Sequence, residues 1–474
     1  MTRPPHIALL GAGPAGVAAA YRLATTRPAS IDVFERAPRP GGNAASFQID
    51  GVWCDIGSHR FHPVAEPHVL ADVKALLGED LLLRPRHGRI RLQKRWIHFP
   101  LKPADAMLRL PKPFAASLLA DMVLKALPRP APATRNFATV LKGGLGPTIA
   151  RDFYFPYVKK LWGLEPEDLA VKLAERRVSG SSITKILRKM AKQIPGLGSE
   201  TDGKFFYPRK GFGQIVTASE AAAKDRGARF HYDTKIVRIE REGMRVKALR
   251  IEREGREERI EADHIWSTIP LTTLVRLLDP APPAEILASA QAMRFRGMIL
   301  IYLVLEQDQF TEYDAHYFPE LSIPISRMSE PKNYSAAREP KGTTVLCAEL
   351  PCDPGQAYWN MSDEELGRLY CEWLAGVGLP VTAKVRRTET RRIGQAYPVY
   401  DLQYEDHFNR MDAWLGGLEG LLTFGRQGLF AHDNTHHAYA MAYGAVDCLT
   451  ADATFDHGKW AEYREIFETH VVED

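Results

Sequence analysis

The sequence predicts an α/β fold in which a domain with a parallel sheet is interrupted by a helical segment and by an antiparallel sheet. A strand, a glycine-rich turn, a helix and a second strand follow one another between residues 7 and 42. Helical periodicities broken by prolines come next, and several strand-like apolar runs follow them. The chain is therefore divided into a first domain of residues 1–70, 205–270 and 415–474, a helical domain of 71–204 and a sheet domain of 271–414.

The glycine-rich turn has the spacing of a Rossmann-like dinucleotide site. Gly11 permits the tight turn, Gly13 lets the backbone approach a pyrophosphate, and Gly16 lets the helix pack on the strand. The helix N-terminus presents free N–H groups to the phosphates, and a proline is tolerated in its first turn. The turn consists of Gly11, Ala12, Gly13, Pro14, Ala15 and Gly16.

Glu35 ends the second strand, about twenty residues beyond the last glycine, where a carboxylate can accept the ribose hydroxyls. The following segment favours FAD over NAD, because it is irregular and glycine-rich where an NAD domain would continue with regular βα units. Such a segment can run along an extended FAD, with residues 57–59 approaching the flavin ring. The residues expected there are Arg36, Gly41, Gly42, Asn43, Gly57, Ser58 and His59.

The composition indicates a multidomain protein of the cytoplasm. The chain has 474 residues, and 62 basic against 58 acidic side chains leave a net charge of +4, which argues against a general nucleic-acid binder. No signal-peptide pattern and no apolar run of about 18 residues occurs, so no membrane span is expected. Five cysteines without a C-x-x-C pair suit a reducing compartment. His432, His436 and His437 lack carboxylates at a clear spacing, so no metal is expected.

Later segments are expected to return to the first domain. Strand patterns at 229–232, 236–239, 246–251 and 264–269 should close its sheet. A strand at 421–424 leads into Gly425 and Arg426, and a helix starts at Thr435. The N-terminus of that helix is expected to face the pyrimidine end of the flavin, where its partial positive charge stabilises the reduced anion.

These motifs, taken in order, resemble the UDP-galactopyranose mutases, within the larger group of amine oxidase and protoporphyrinogen oxidase-type flavoproteins with a GR2-type FAD domain. The resemblance covers almost the whole chain. Its elements are Gly57-Ser58-His59, Trp162, Glu175-Arg176-Arg177-Val178, Tyr317-Phe-Pro-Glu320, Arg327, Asn333-Tyr334-Ser335, Tyr397-Pro398, Gly425-Arg426 and Asn434.

The resemblance implies an enzyme that interconverts the pyranose and furanose forms of a nucleotide sugar, with N5 of reduced FAD as nucleophile and no net redox change. NAD(P)H would reduce the non-covalently bound flavin. Catalytic roles fall to His59, Arg177 and Arg327, the two arginines carrying the diphosphate charge. Further substrate contacts are expected from Lys102, Trp162, Tyr317, Asn333, Tyr334, Tyr397 and Phe430. Further cofactor contacts are expected from Val237, Gly425, Arg426, Asn434 and Thr435.

Four positions depart from the mutase pattern. Val158 stands in place of Asn, Phe430 in place of Tyr, Lys102 in place of Gln and Ala315 in place of Trp. The substrate is therefore expected to be phosphorylated or nucleotide-linked, but it need not be UDP-galactose. An FAD-dependent oxidoreductase of the amine oxidase or protoporphyrinogen oxidase type stays open as the alternative.

Several of the residues also have an ordinary structural explanation. Arg177 could interact with a helix C-terminus, and Tyr317 and Tyr397 could be strand aromatics. A basic hairpin at 84–95 is more often a solvated face than a phosphate site, and a helix at 114–127 is more often buried than bound to a membrane surface.

Overall fold

A computed structural model describes the fold for residues 3–100, 105, 109–125, 134–177, 201–450 and 452–472. The first sheet has five strands, all parallel to their neighbours. In spatial order they are Leu421–Thr423, His264–Ser267, His6–Leu10, Ser30–Phe34 and Arg229–His231. Most of their residues are buried, as expected of a parallel sheet covered on both faces. The predicted α/β fold is confirmed.

The central strand of this sheet sends alternate side chains into two different cores. Ile7 and Leu9 pack against the helices on one face, whereas Ala8 and Leu10 pack on the other. The helices of the first face are Pro14–Thr26, Pro67–Leu77, Gln214–Lys224 and Thr435–Asp447. Those of the second face include Leu271–Leu277, Ala284–Ala292 and Tyr404–Gly416.

A seven-stranded sheet forms the second large unit. In spatial order its strands are Val385–Pro398, Phe295–Leu305, Thr344–Pro351, Arg327–Ser329, Ala315–Tyr317, Gly88–Leu92 and Arg95–Phe99. Neighbours are antiparallel except Ala315–Tyr317 and Gly88–Leu92, which run parallel. The antiparallel sheet was expected, but the hairpin at 88–99, which belongs to the helical stretch by sequence, extends this sheet. Helix Asp363–Gly376 covers one face.

Not all the strands after residue 229 close the first sheet, and that expectation is wrong for two of the four. Lys235–Glu242 and Arg245–Arg253 instead form a separate four-stranded sheet with Arg256–Glu261 and Leu278–Asp279. Gly243 and Gly255, both with positive φ, stand in the tight turns that fold these strands back on one another. Short antiparallel hairpins therefore form where longer crossovers would be needed to rejoin a parallel sheet.

Two ribbons and a set of further helices surround these sheets. The ribbons pair Ser46–Ile49 with Val52–Asp55 and Leu81–Pro85 with Lys204–Pro208. The other helices are Lys112–Lys125, Phe137–Leu145, Pro147–Ile149, a π-helical turn Ala150–Tyr154, Phe155–Trp162, Val171–Arg177, Pro331–Ser335, Gly425–Gly428 and His457–Glu468. Among the helices in the described ranges, none has the length and apolar character needed to cross a membrane. Helix Val171–Arg177 ends at the last residue described before Thr201.

Candidate active site

The glycine-rich turn is tightly packed on one side and open on the other. Gly11 has φ +95°, and a Cβ at Gly16 would lie 1.9 Å from the carbonyl oxygen of Gly11. A Cβ at Gly13 would meet no atom of the described chain within 4 Å. The first and third glycines therefore serve internal packing, whereas the second leaves room for a ligand.

Helix Pro14–Thr26 begins at this turn without a side-chain cap. Gly13 is its N-cap residue and Pro14 occupies the first turn, so backbone N–H groups are left for a partner. Ala15 is buried, and a Cβ at Gly425 would lie 2.6 Å from the Cβ of Ala15. The C-terminal glycine-arginine pair thus lies against the first turn of this helix. An uncapped N-terminus beside an open glycine fits a pyrophosphate.

The Glu35 carboxylate is held at the same turn. It accepts hydrogen bonds from the backbone N–H groups of Ala12, at 2.8 Å, and Ala37, at 2.9 Å. This anchoring places a fixed acceptor at the end of the strand, where a ribose is expected. Arg36 is exposed and Val237 half-buried, and neither takes part in these bonds.

The second glycine pair packs back on the first turn. Gly41 has φ +115° and donates its N–H to the carbonyl of Ala12 at 2.8 Å. A Cβ at Gly42 would lie 3.4 Å from the Cα of Gly13, and Asn43 is exposed. The open glycine, the uncapped helix and the anchored carboxylate together fit the ADP half of FAD.

A glutamate and an arginine from the seven-stranded sheet hold the loop at 57–59. Gly57 has φ +89°, and the N–H of Ser58 donates to Oε1 of Glu349 at 2.9 Å. The carbonyl of Ser58 accepts from Nη2 of Arg327 at 3.2 Å. The N–H and the carbonyl of Ser58 are therefore both held by one buried ion pair, Arg327 with Glu349.

His59 lies half-buried next to that ion pair, and its Nδ1 atom is shielded from solvent. Its ring stacks on Phe212 with centroids 5.2 Å apart, and its Nδ1 has no hydrogen-bond partner among the described residues. Burial and the positive charges of Arg327 and Arg426 lower the pKa of His59 to about 3. The imidazole is therefore neutral at physiological pH and offers an uncommitted polar atom to a ligand.

Arg327, predicted from the sequence to bind the substrate, forms most of its hydrogen bonds within the protein. Its Nε and Nη2 both contact the Glu349 carboxylate, at 3.0 and 2.7 Å, and its guanidinium lies 5.7 Å from the ring centroid of Tyr317. Burial disfavours the charged form, but Glu349 outweighs it and raises the pKa of Arg327 well above its usual range. Only Nη1 is free of bonds to the described chain, so this arginine mainly holds the loop.

Arg60 is a site residue that sequence reasoning missed. It pairs with Asp314 at 3.2 Å and donates to the hydroxyls of Tyr317, at 2.9 Å, and Tyr334, at 3.3 Å. Tyr334 also shares a hydrogen bond with the Ser58 hydroxyl. Burial opposes its charge, yet these partners raise the pKa of Arg60. Its place directly after His59 was an available signal, whereas nothing local marked Asp314.

A second group of residues combines aromatic rings with two arginines. Arg177 lies 5.5 Å from the ring centroid of Trp162 and 5.9 Å from that of Tyr397, and Arg426 lies 5.3 Å from that of Tyr397. Arg426 donates to the backbone carbonyls of Asp433 and Ala396. Within the described ranges neither arginine has a carboxylate at ion-pair distance. This group is suited to an anion.

His432 belongs to the same group and was predicted only as an unsuitable metal ligand. Its ring stacks on Tyr397, with centroids 6.2 Å apart, and meets the edge of Trp162 at 5.5 Å. Burial, followed by Arg177 and Arg426, lowers its pKa well below the usual value. A neutral imidazole therefore faces the two arginines.

Other predicted site residues lie in different surroundings. The Asn333 amide is bonded to the carbonyls of Thr311 and Tyr313, and the Phe430 side chain packs in the apolar core. Asn434 caps helix Thr435–Asp447. Lys102 lies outside the described residues. The roles assigned to all of these residues remain predictions.

Three potential metal ligands do meet near that helix. Asp433, His437 and His470 bring one ligand atom each within 4.8 Å of the others. A guanidinium nitrogen of Arg176 lies 3.5 Å from the same Asp433 oxygen, and Nδ1 of His437 accepts the N–H of Asn434 at 3.2 Å. Because Arg176 already supplies a cation to the carboxylate, we interpret the group as an ion-pair cluster.

The fold and the site define a flavoenzyme with a Rossmann-like FAD-binding domain and a separate substrate domain. Residues 14–407 match the family of flavin containing amine oxidoreductases. The chain belongs to that family, and FAD is its cofactor.

The chain is similar to proteins with different activities. A crystal structure of reduced UDP-galactopyranose mutase superposes with a TM-score of 0.80 and 21% identity, over 99% of this chain and 100% of that one. A zeta-carotene-forming phytoene desaturase of Myxococcus xanthus is 26% identical over 64% of this chain and 60% of its own length. A coproporphyrinogen III oxidase of Staphylococcus aureus is 21% identical over 48% of this chain and 54% of its own length. The match to the mutase structure establishes the shared fold.

Proposed function

We propose that the protein is an FAD-dependent pyranose–furanose mutase acting on a nucleotide sugar. The supporting observation is that Arg177 and Arg426 flank the Tyr397 ring with no carboxylate partner among the described residues. Two guanidinium groups without an ion-pair partner in the described part of the chain attract an anion, and a diphosphate presents oxygens at the geometry they bind. A cationic amine would be repelled at the same place.

Different residues of the chain would have different roles in such a reaction. Reduced FAD, when bound, supplies a nucleophilic nitrogen for the anomeric carbon. Arg177 and Arg426 stabilise the negative charge of the departing diphosphate, and the Tyr317 and Tyr397 hydroxyls are donors to its oxygens. We assign the carbonyl of Ser58, which the ion pair behind it keeps in place, as an acceptor for an N–H of the flavin.

In this proposal NAD(P)H reduces the flavin. The protein is therefore proposed to act in the cytoplasm, where that reductant is available. The nucleotide-facing positions differ from the mutase pattern at Val158, which is buried in the apolar core. The nucleotide and the sugar therefore need not be those of UDP-galactose.

The test is anaerobic turnover. The protein is reduced with NADPH or dithionite and offered a panel of nucleotide hexoses, and the products are separated by chromatography and weighed by mass spectrometry. A product of unchanged mass and new retention, formed by reduced enzyme alone, supports the mutase. No turnover of any member of the panel would remove its support.

Matched variants distinguish a specific effect of Arg177 and Arg426 on anion binding from the effect of removing any positive charge. Arg177→Met and Arg426→Met are expected to weaken binding of UDP by roughly tenfold to a hundredfold, as for loss of a hydrogen-bonded charge. Arg256→Met removes an exposed arginine on the four-stranded sheet and should leave binding unchanged. Titration of UDP against flavin fluorescence measures all three.

A second candidate is an oxidoreductase acting on a polycarboxylate. The same unpaired arginines also suit carboxylates, and the Staphylococcus aureus relative is a coproporphyrinogen III oxidase. A substrate that bleaches oxidised flavin and emerges two hydrogens lighter would favour this candidate.

A further inference from the structure

Lys160 is a buried lysine whose ammonium group contacts backbone carbonyls of a single turn. The side chain is 8% exposed, and its Nζ donates to the carbonyls of Phe318, Glu320, at 2.6 Å, and Ile325, at 3.1 Å. An ammonium group has three N–H donors and no acceptor. All three are used here, so Lys160 has no donor left for a ligand.

The turn that Lys160 holds connects two short strands of the candidate site. Ala315–Tyr317 and Arg327–Ser329 pair antiparallel, and the register places Tyr317 directly opposite Arg327. The N–H of Phe318 closes the turn on the carbonyl of Ser326 at 2.9 Å. The position of this turn therefore decides where Tyr317 and Arg327 lie.

Lys160 itself stands on the opposite side of the site. It belongs to helix Phe155–Trp162, whose last residue, Trp162, lies against Arg177 and Tyr397. Lys160 thus connects the helix that carries Trp162 with the turn beside Tyr317 and Arg327. Trp162 itself donates to the carbonyl of Pro398 at 3.3 Å, at the end of another strand of the same sheet.

We propose that Lys160 is a positioning residue that sets the separation between the Trp162 and Arg177 side of the site and the Tyr317 and Arg327 side. The inference rests on the proposed function only in assuming that one ligand contacts both sides. A shift of about 1 Å between two binding surfaces is enough to weaken a ligand that must contact both.

The charge on Lys160 is finely balanced. Burial lowers its pKa to about 7, and the carboxylate of Glu320, which is itself paired with Arg91, acts against that shift. A neutral amine has only two N–H donors, so one of the three carbonyl bonds is lost on deprotonation. The turn should therefore be held less firmly as pH rises above about 7.

The test compares Lys160→Met with Lys159→Met. Lys159 is the neighbouring residue on the same helix, but it is exposed and pairs with Glu165. Backbone amides of 318–326 should exchange with deuterium at least tenfold faster in Lys160→Met, and affinity for UDP should fall about tenfold, as for loss of charged hydrogen bonds. Lys159→Met should match the natural protein in both.

A pH series adds a readout that a general loss of stability would not produce. Between pH 6 and pH 9 the natural protein and Lys159→Met should lose UDP affinity together, whereas Lys160→Met should show a flat profile. The melting temperature of Lys160→Met should remain close to that of the natural protein, because Ile323 and Ile325 keep the turn in the apolar core.

Unchanged exchange and unchanged affinity in Lys160→Met would overturn the proposal. If the natural protein binds neither UDP nor any other nucleoside diphosphate, the proposed function fails, while deuterium exchange of the turn still decides the role of Lys160. Should Lys160→Met not fold, Lys160→Gln retains two N–H donors and should give an intermediate exchange rate; exchange equal to that of the natural protein would overturn the inference.

Discussion

Arg327 and Arg177 carry the same side chain, but their neighbours give them different tasks. Arg327 is neutralised by Glu349 and bonded to the Ser58 carbonyl, so it organises the flavin loop. Arg177 lies among aromatic rings and has no carboxylate partner in the described part of the chain. Residue type and motif order predicted both as ligand-binding arginines, and only the neighbours distinguish them.

Glu349→Gln should make the flavin easier to reduce. The substitution removes a buried negative charge next to the loop at 57–59 and leaves Arg327 positive, which favours the anionic reduced flavin. We expect the two-electron midpoint potential to rise by about 30 mV, equivalent to about 1.4 kcal/mol. Spectroelectrochemical titration measures the potential. Glu372→Gln, on the outer helix Asp363–Gly376, serves as control, and an unchanged or lower potential in Glu349→Gln would contradict the assignment.

Gly13→Ala and Gly16→Ala should separate ligand binding from folding. A Cβ at Gly16 would collide with the carbonyl of Gly11, so Gly16→Ala should destabilise the protein by about 1–3 kcal/mol. A Cβ at Gly13 meets nothing within the described chain, so Gly13→Ala should keep the stability of the FAD-free protein and weaken FAD binding. Urea unfolding and FAD titration measure the two effects, and the reverse pattern would show that the ligand lies elsewhere.

Three strands of the first sheet are joined by charged side chains around the buried Asp32 as well as by backbone hydrogen bonds. Asp32 on the strand Ser30–Phe34 contacts His6 on one neighbouring strand, at 2.7 Å, and Arg229 and His231 on the other, both at 2.6 Å. Burial alone would raise the pKa of Asp32, but these hydrogen bonds outweigh it and hold the pKa well below its usual range. The bond to Asp32 likewise raises the pKa of His6 against its burial.

Asp32→Asn should cost about 2 kcal/mol near pH 5 and less on either side. Stability from the depressed Asp32 pKa is present above its unfolded value of 3.8 and is lost as pH falls. Stability from the raised His6 pKa is complete below 6.5 and is lost as pH rises through the folded value. Melting temperatures of both proteins from pH 3 to pH 9 measure the difference, and a difference independent of pH would refute this account.

At the scale of the whole molecule, FAD should stabilise the fold, because its expected site joins the glycine-rich turn to the C-terminal segment at Gly425. At 100 times its dissociation constant a ligand adds about 2.7 kcal/mol to the free energy of unfolding. Removal of FAD should therefore lower the melting temperature by several degrees, and added FAD should restore it. Gly13→Ala should show a smaller shift at equal FAD, and equal melting temperatures with and without FAD would contradict the assigned site.

The sequence alone determined the α/β class, the glycine-rich turn and most strands and helices, because these depend on residue spacing along a few turns or strand lengths. The spacing of glycines and the alternation of apolar residues act over short distances, and Gly11, Gly16 and Glu35 take the places their spacing predicted. The hairpin Gly88–Leu92 and Arg95–Phe99 was likewise visible as a hairpin.

Tertiary structure decided which sheet that hairpin joins and which charges are compensated. Arg60 and Asp314 are 254 residues apart, and Lys160 reaches a carbonyl 158 residues away. Burying a charge is unfavourable unless the fold brings a hydrogen-bonding or oppositely charged partner close to it. Local periodicity along the sequence does not predict which residue that partner will be. For the same reason motif order assigned Phe430 a substrate contact, whereas its side chain packs in the apolar core.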